Sequence, residues 1–280
     1  MTKYQIVSDS SCDLSANYLE DKDIGFQIVP FVVQVGERAF ADTPDLSVDE
    51  MLDAIDASGA KTGSACPSPE AYYQAMMQSE VSFVVTISSG LSGSYNSACV
   101  ARDMAIAQGK RVYVIDSKAT CGVQILIIDE LARLIRAGYE YERICQEIET
   151  FCSQRKLLFV LRNFDNLIRN GRILKIVAKV ISALNICPIC AKTEQGTIEI
   201  REKLIGIKKT LKRLVTLVGE NIRNFAAADI IINHCQASEE AEQLEHQIKS
   251  SFPEIGKVRI IPMRGLASYY AQRKGLIVSF

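Results

Sequence analysis

The chain is poor in the groups from which most catalytic centres are built. Its 280 residues include two histidines, His234 and His246, so a Ser/His/Asp triad has little to draw on. Neither histidine sits near a nucleophile context such as GxSxG, and no pair of carboxylates is evidently spaced for acid–base work. No apolar run approaches the roughly 20 residues that a membrane-spanning helix needs. The formal net charge of −1 offers no global attraction to nucleic acid or an anionic membrane. Nucleic acid is therefore not expected as a partner, and membrane contact is expected to be transient at most. The apolar stretch at Met1–Val7 is too short for a signal peptide, which makes a cytoplasmic location the expectation. There are no internal repeats or low-complexity segments. What remains is an ordinary soluble composition, 48% apolar and 23% charged, with enough length for two domains.

Nine cysteines are scattered, odd in number and mostly set in apolar segments (Cys99, Cys145, Cys152). This is the usage of a reducing compartment, where a free cysteine acts as a small buried hydrophobe. Cys187-Pro188-Ile189-Cys190 has CxxC spacing without a second such pair. A zinc site from Cys187, Cys190, His234 and Cys235 matches no standard spacing, and a redox pair belongs at a helix N-terminus. The spacing reads as coincidence, and no metal and no cofactor are expected.

The first part of the chain alternates strands and helices. Tyr4–Ser8 reads as a buried strand and Phe26–Val35 as a second extended stretch. Ser47-Val48-Asp49-Glu50 is a capping box ahead of Met51, Leu52 and Ile55 at helical spacing. Ser68-Pro69 opens a helix bearing Tyr72, Tyr73, Met76 and Met77. Val81–Ile87, a nearly unbroken apolar run, has the pattern of a central parallel strand. A helix over Tyr95–Ala107, a strand over Arg111–Ile115 and helices over Gln124–Arg136 and Tyr139–Ser153 follow. This alternation predicts an α/β fold with a mostly parallel sheet covered on both faces.

From Leu157 the pattern changes: a strand over Leu157–Leu161, the basic stretch Arg162–Arg172, an apolar helix over Leu174–Leu184 and a strand over Thr197–Arg201. An amphipathic helix over Lys208–Arg223, a strand over Asp229–Asn233, a helix over Ser238–Ser251 and strands over Val258–Ile261 and Leu276–Ser279 complete it. Two α/β domains are expected, residues 1–154 and 155–280.

The loop Ser88-Ser89-Gly90-Leu91-Ser92-Gly93-Ser94-Tyr95-Asn96-Ser97 carries the clearest functional signal. Two glycines and five serines in ten residues join a buried strand to a helix. Glycine permits close approach of a ligand, and free N–H groups at a helix N-terminus favour an anion. Serine hydroxyls donate to carboxylate or phosphate without adding charge. No GK[ST] follows, so the loop is not a P-loop; its plainer reading is a turn and N-cap. Asp9-Ser10-Ser11-Cys12-Asp13 ends the first strand at the same sheet edge, with Ser11 or Asp13 as helix caps in the plainer reading. Thr62-Gly63-Ser64 adds hydroxyls before another helix, and Asp116-Ser117 ends a third strand. In open α/β sheets ligands bind at such strand ends. Arg169 and Arg172 flank the turn Asn170-Gly171, suited to phosphate or an acidic partner as much as to surface ion pairs. Lys208, Lys209, Lys212 and Arg213 read as a solvated helix face. A serine-dependent hydrolase or transferase using Ser89 or Ser92 is the competing reading, weakened by the missing histidine.

Taken in order, Asp9–Leu14, Thr62–Pro69, Ile87–Tyr95, Asp116-Ser117, Leu167–Ile173 and Leu184–Ile189 resemble the DegV family over essentially the whole chain. These are bacterial fatty-acid-binding subunits of a fatty acid kinase system. The resemblance implies a long-chain fatty acid held between the two domains, its carboxylate meeting hydroxyls at Thr62 and Ser92 beside Gly93. Ser11, Ser64 and Ser89 are secondary candidates. The acyl tail would enter an apolar tunnel reaching into the second domain, with the helices Leu174–Leu184 and Gln124–Arg136 as possible walls or simply as core. It implies a protein that does not catalyse but presents the carboxylate to a separate kinase, a step in phospholipid metabolism, with Arg172 and Arg169 as kinase contacts. The family's C-terminal histidine, which helps bind the carboxylate, falls at Tyr270, and its Gly-Pro-Gly is replaced by Gln272-Arg273-Lys274. A tyrosine hydroxyl still donates a hydrogen bond, and Arg273 or Lys274 offers charge.

Overall fold

The computed structural model describes residues 2–57, 61–173 and 186–280; the expected helix over Leu174–Leu184 lies outside them. Chain order begins β1 (Tyr4–Asp9), a 3-10 turn (Ser10–Cys12), β2 (Ile24–Val29), β3 (Val32–Val35), β4 (Arg38–Ala41), α1 (Val48–Ala57), β5 (Thr62–Ala65) and α2 (Pro69–Met76). It continues with β6 (Val81–Thr86), α3 (Ser94–Ala107), β7 (Arg111–Asp116), α4 (Gly122–Arg136) and α5 (Tyr141–Gln154). The remainder is β8 (Leu157–Val160), α6 (Asp165–Arg169), β9 (Ile186–Lys192), β10 (Ile198–Ile205), α7 (Ile207–Asn221), β11 (Asp229–His234), α8 (Ser238–Ser251), β12 (Lys257–Pro262), α9 (Gly265–Ala271) and β13 (Leu276–Ser279).

Strands β2-β1-β6-β7 form a wholly parallel sheet. Its central strand β6 is buried at every position, as a strand covered on both faces must be. The α/β expectation holds. A small antiparallel sheet, β4-β3-β5, stands beside it. The extended stretch Phe26–Val35 is in fact two strands in different sheets. Pro30, which has no N–H to give a ladder, breaks it, and Phe31 N turns to Ser10 Oγ at 3.0 Å.

The third sheet has six strands, β10-β9-β8-β13-β11-β12. All its pairings are antiparallel except β11 with β12. Along β8 the side chains alternate between two cores, as strand geometry requires. Leu157, Phe159 and Leu161 join the cluster shared with α4 and the parallel sheet, while Leu158 and Val160 join a second cluster under α7 and α8.

Two local devices set the site's frame. Ser47 Oγ accepts from Glu50 N at 3.2 Å, but Glu50 reaches across to Arg38, so only half of the expected capping box forms. Ser68 caps α2 through Ala71 N at 3.2 Å, with Pro69 in the first turn. More distant in sequence, the buried carboxylate of Asp42 accepts from Gly265 N and Leu266 N, both at 2.9 Å, and so starts α9. A Cβ on Gly265 would lie 2.5 Å from Leu46 and 2.7 Å from Asp42, so this approach needs glycine. Because α9 carries Tyr269 and Tyr270, this cap fixes where both rings stand. Gly122, at the start of α4, permits a second close approach. A Cβ there would meet Ser279 at 2.7 Å and Ile231 at 2.8 Å, so the helix end sits directly on the six-stranded sheet.

Candidate functional site: a hydroxyl-lined apolar cavity

The loops after β1, β6 and β7 gather at one edge of the parallel sheet around a single buried carboxylate. Asp9 is 0% exposed. Its Oδ1 accepts from Ser11 Oγ at 2.5 Å and Gln124 Nε2 at 3.0 Å; its Oδ2 accepts from Ser94 Oγ at 2.7 Å and Ile87 N at 2.9 Å. Tyr72 OH and Ser94 Oγ share a further hydrogen bond at 2.7 Å. A buried charge is tolerated when saturated with donors in this way. The 3-10 turn has no side-chain cap at its start, and Asp13 lies at its C-terminal end. Ser11 is thus turned inward onto Asp9 rather than capping a helix.

The loop itself is less open than its sequence suggests. Ser88 N donates to Ala119 O, Ser89 N to Asp116 Oδ1, Gly90 N to Ser88 Oγ, Leu91 N and Ser92 N to Ser88 O, and Ser94 N to Ser92 Oγ. Among the described residues, Gly93 N is the one amide from Ile87 to Ser94 left without a partner. An open row of free amides is therefore not what the loop offers. It is a self-bonded platform that presents side-chain hydroxyls. Ser88 Oγ is spent on Gly196 O at 2.8 Å, and Ser89 Oγ on Asp116 Oδ2 at 2.5 Å.

Above this platform lies a cavity whose empty space, open solvent at its mouth included, is about 830 Å³. Its walls are predominantly apolar. Leu157 and Phe159 of β8, Leu161 just after it and Ile277 of β13 form the floor, and Phe31, Ile87, Leu91, Leu266 and Ala267 complete the lining. The body of α4 is core, with Ile125, Ile127, Ile128 and Leu131 all 0–3% exposed. Only the segment that leads into it, Ala119–Cys121, reaches the cavity.

The polar lining includes Ser64, Ser92, Tyr270 and Arg172. Ser64 Oγ and Tyr270 OH lie 2.9 Å apart. The neighbouring ring, Tyr269, is fully buried and faces elsewhere: its hydroxyl donates to Thr62 Oγ1 at 3.0 Å and accepts from Asn170 Nδ2 at 2.9 Å. Asn166 Nδ2 holds Tyr269 O at 2.7 Å. Thr62 is thus 6% exposed and bonded behind the wall, while Ser64, two residues along β5 on the same face, reaches the cavity. Gly93 stands behind Ser92, where an added Cβ would meet Cys66 Sγ at an ordinary 3.6 Å.

The cations divide clearly. Arg172 lines the cavity, its Nη1 donating to Asn170 O at 2.5 Å, whereas Arg169 is exposed at the end of α6. Arg273 is bound to Asp53 at 2.5 Å and Asp56 at 3.0 Å on α1, and Lys274 to Glu240 at 3.1 Å. Neither supplies charge to the cavity, contrary to the expectation from sequence. Gln272 and Lys274 have φ of +53° and +65°, a conformation that favours glycine. Both positions carry side chains there, so the turn is strained.

Other candidates resolve against chemistry. His234 is half-buried, its Nδ1 accepting from Ala237 N at 3.2 Å, and His246 is exposed on α8. Among the described residues, neither contacts Ser89 or Ser92. Cys187 and Cys190 lie in the interior strand β9 three residues apart, hence on opposite faces. Burial pushes the Cys190 thiol up to about 12, the reverse of what thiolate chemistry needs. Arg213 of α7 pairs with Glu202 and Glu220, each at 2.7 Å, on a solvated face.

The fold and cavity define an α/β protein with a predominantly apolar site lined in part by hydroxyls. The chain belongs to the DegV family: the profile of that family, described as an uncharacterised protein, matches residues 3–274. A DegV domain-containing protein of Streptococcus gordonii is 36% identical over 99% of this chain and 98% of its own. Among solved structures, the fatty acid kinase (Fak) B3 protein of Streptococcus pneumoniae, loaded with linoleic acid, matches with a TM-score of 0.94. It is 32% identical, covering 100% of this chain and 99% of its own. A DegV family protein from Eubacterium eligens loaded with heptadecanoic acid has a TM-score of 0.91 at 31% identity, covering 99% and 98%. Among the described residues, no helix is long and apolar enough to cross a membrane.

Proposed function

We propose that this protein binds one long-chain fatty acid in the cavity and presents its carboxylate to a separate fatty acid kinase. The observation that carries the reading is the cavity's polarity pattern: predominantly apolar walls, with Ser64, Ser92, Tyr270 and Arg172 among a polar lining that also includes Thr120, Thr197 and Lys192. Hydroxyl donors and one guanidinium suit a carboxylate, and the walls suit an acyl chain. In this reading residues 1–154 supply the head-group loops and residues 155–280 the floor of the tunnel. Ser92 and the Ser64–Tyr270 pair meet the carboxylate, with Thr62 acting behind them through Tyr269.

The protein then has no catalytic residue of its own, and needs no metal or cofactor. The kinase brings ATP; a carboxylate oxygen attacks the γ-phosphorus, the bond to the β–γ bridging oxygen breaks, and ADP leaves. In this reading Arg172, half-exposed at the cavity, and the exposed Arg169 contact the kinase. The test is to load the protein with oleate, add a kinase catalytic subunit from a relative with ATP, and trap acyl phosphate as the hydroxamate. Product is expected only when both proteins are present. Hydroxamate from this protein and ATP alone, or none with the kinase, overturns the presenting role.

A further inference from the structure

Two residues, Leu157 and Lys192, line both the apolar cavity and a second, polar cleft of about 1710 Å³ with open solvent included. They form a thin wall between the two spaces. Their place in the fold puts that wall far from the hydroxyl pair. Ala271, next to Tyr270, stands by Leu161, since both lie within 3.1 Å of a Cβ built on Gly275. Leu157 is four residues back along β8, roughly 13 Å at about 3.3 Å per residue. Lys192 follows Ala191, the partner of Leu158 across β9.

The two wall residues differ in kind. Leu157 is 5% exposed and belongs to the main core. Lys192 is half-buried at the end of β9. Burial and the like charge of Lys156 lower its affinity for a proton, so its charged form gains from any access to water. A lysine set between an apolar and a polar space lays its methylene stem along the first and its ammonium in the second. The cleft also contains Ser153, Glu194 and Glu199, where an ammonium is solvated and a methyl terminus is not.

We infer that the Lys192 stem, backed by Leu157, is the stop that limits the length of the acyl chain the cavity accepts. This rests on the fatty-acid reading of the cavity. Withdrawing the stem joins the cavity to the cleft and gives a longer chain somewhere to go. Each methylene buried adds to affinity, so two more are worth roughly tenfold.

The experiment measures dissociation constants of delipidated protein for saturated acids of increasing length by displacement of a fluorescent fatty acid. In the wild type, affinity should rise with each methylene and then break. In Lys192→Ala the break should move outward, raising affinity for the longer acids by about tenfold relative to the shorter. Lys192→Met keeps the stem and should leave the break in place. An unmoved break in Lys192→Ala overturns the inference, as does a break that moves equally in Lys192→Met. A wild-type series without a break overturns it with no variant needed, and Lys192→Ser repeats the test should Lys192→Ala not fold. Failure of the wild type to bind any fatty acid sinks the underlying reading instead, so the two failures are distinguishable.

Discussion

Replacing Tyr270 by phenylalanine deletes one oxygen and leaves the ring in place against Tyr269, 4.7 Å away between centroids. In the free protein the loss is the single bond to Ser64 Oγ at 2.9 Å, a neutral pair worth about 0.5–1.5 kcal/mol. For a chain of this size that lowers Tm by a few degrees at most. In the proposed complex the same oxygen donates to the fatty-acid carboxylate, and a hydrogen bond to a charged group is worth about 1.5–3 kcal/mol. The dissociation constant for oleate should therefore rise by roughly 10- to 150-fold. Tyr269→Phe is the matched control, because its hydroxyl is committed to Thr62 and Asn170. It should cost comparable stability yet change oleate affinity by less than about threefold. Isothermal titration of delipidated protein separates the two. Oleate binding within about threefold of wild type in Tyr270→Phe, or a larger loss in Tyr269→Phe, refutes the assignment of the head-group partner.

Asp9→Ala removes the shared acceptor of four buried donors and strands Ile87 N, and should destabilise the fold by about 1–3 kcal/mol, read from denaturant unfolding. Loss of less than about 1 kcal/mol would mean the buried cluster carries no such weight. Asp13 is fully enclosed, and burial, with Asp42 nearby, raises its carboxyl from 3.8 to about 7. Between these values the folded state holds a proton that the unfolded state releases, so this contribution is present at low pH and lost as pH rises toward 7. Asp13→Asn should flatten the stability–pH profile between about 4 and 7, and an unchanged slope in chemical denaturation would contradict the assignment. Gln272→Gly should relieve backbone strain of about 1–3 kcal/mol, less the entropy glycine adds to the unfolded chain. A rise in Tm by calorimetry is expected; a fall would show that the turn is not strained at φ +53°.

Much of the architecture is legible because the hydrophobic period carries it. The apolar run of β6 and the capped starts of α1 and α2 stand where their residues indicate, and α8 and β13 occupy the spans read from sequence. What escapes are elements whose stability comes from remote partners. α9 begins on Asp42, more than two hundred residues away in sequence, and β9 holds its cysteines because it lies between β8 and β10. No local pattern announces either. The site divides in the same way. Ser64, Ser92, Tyr270 and Arg172 are all visible as polar residues in suggestive segments. That Ser64 rather than Thr62 faces the cavity, and that Arg273 is spent on α1, depends on strand register and on surface ion pairs that sequence does not encode locally.

The most direct test is mass spectrometry of the protein purified from bacteria, under native conditions and then after lipid extraction. The account predicts one long-chain fatty acid per chain, with oleate or palmitate raising Tm after delipidation. Protein that repeatedly carries no lipid and shows no thermal shift with either acid would contradict it.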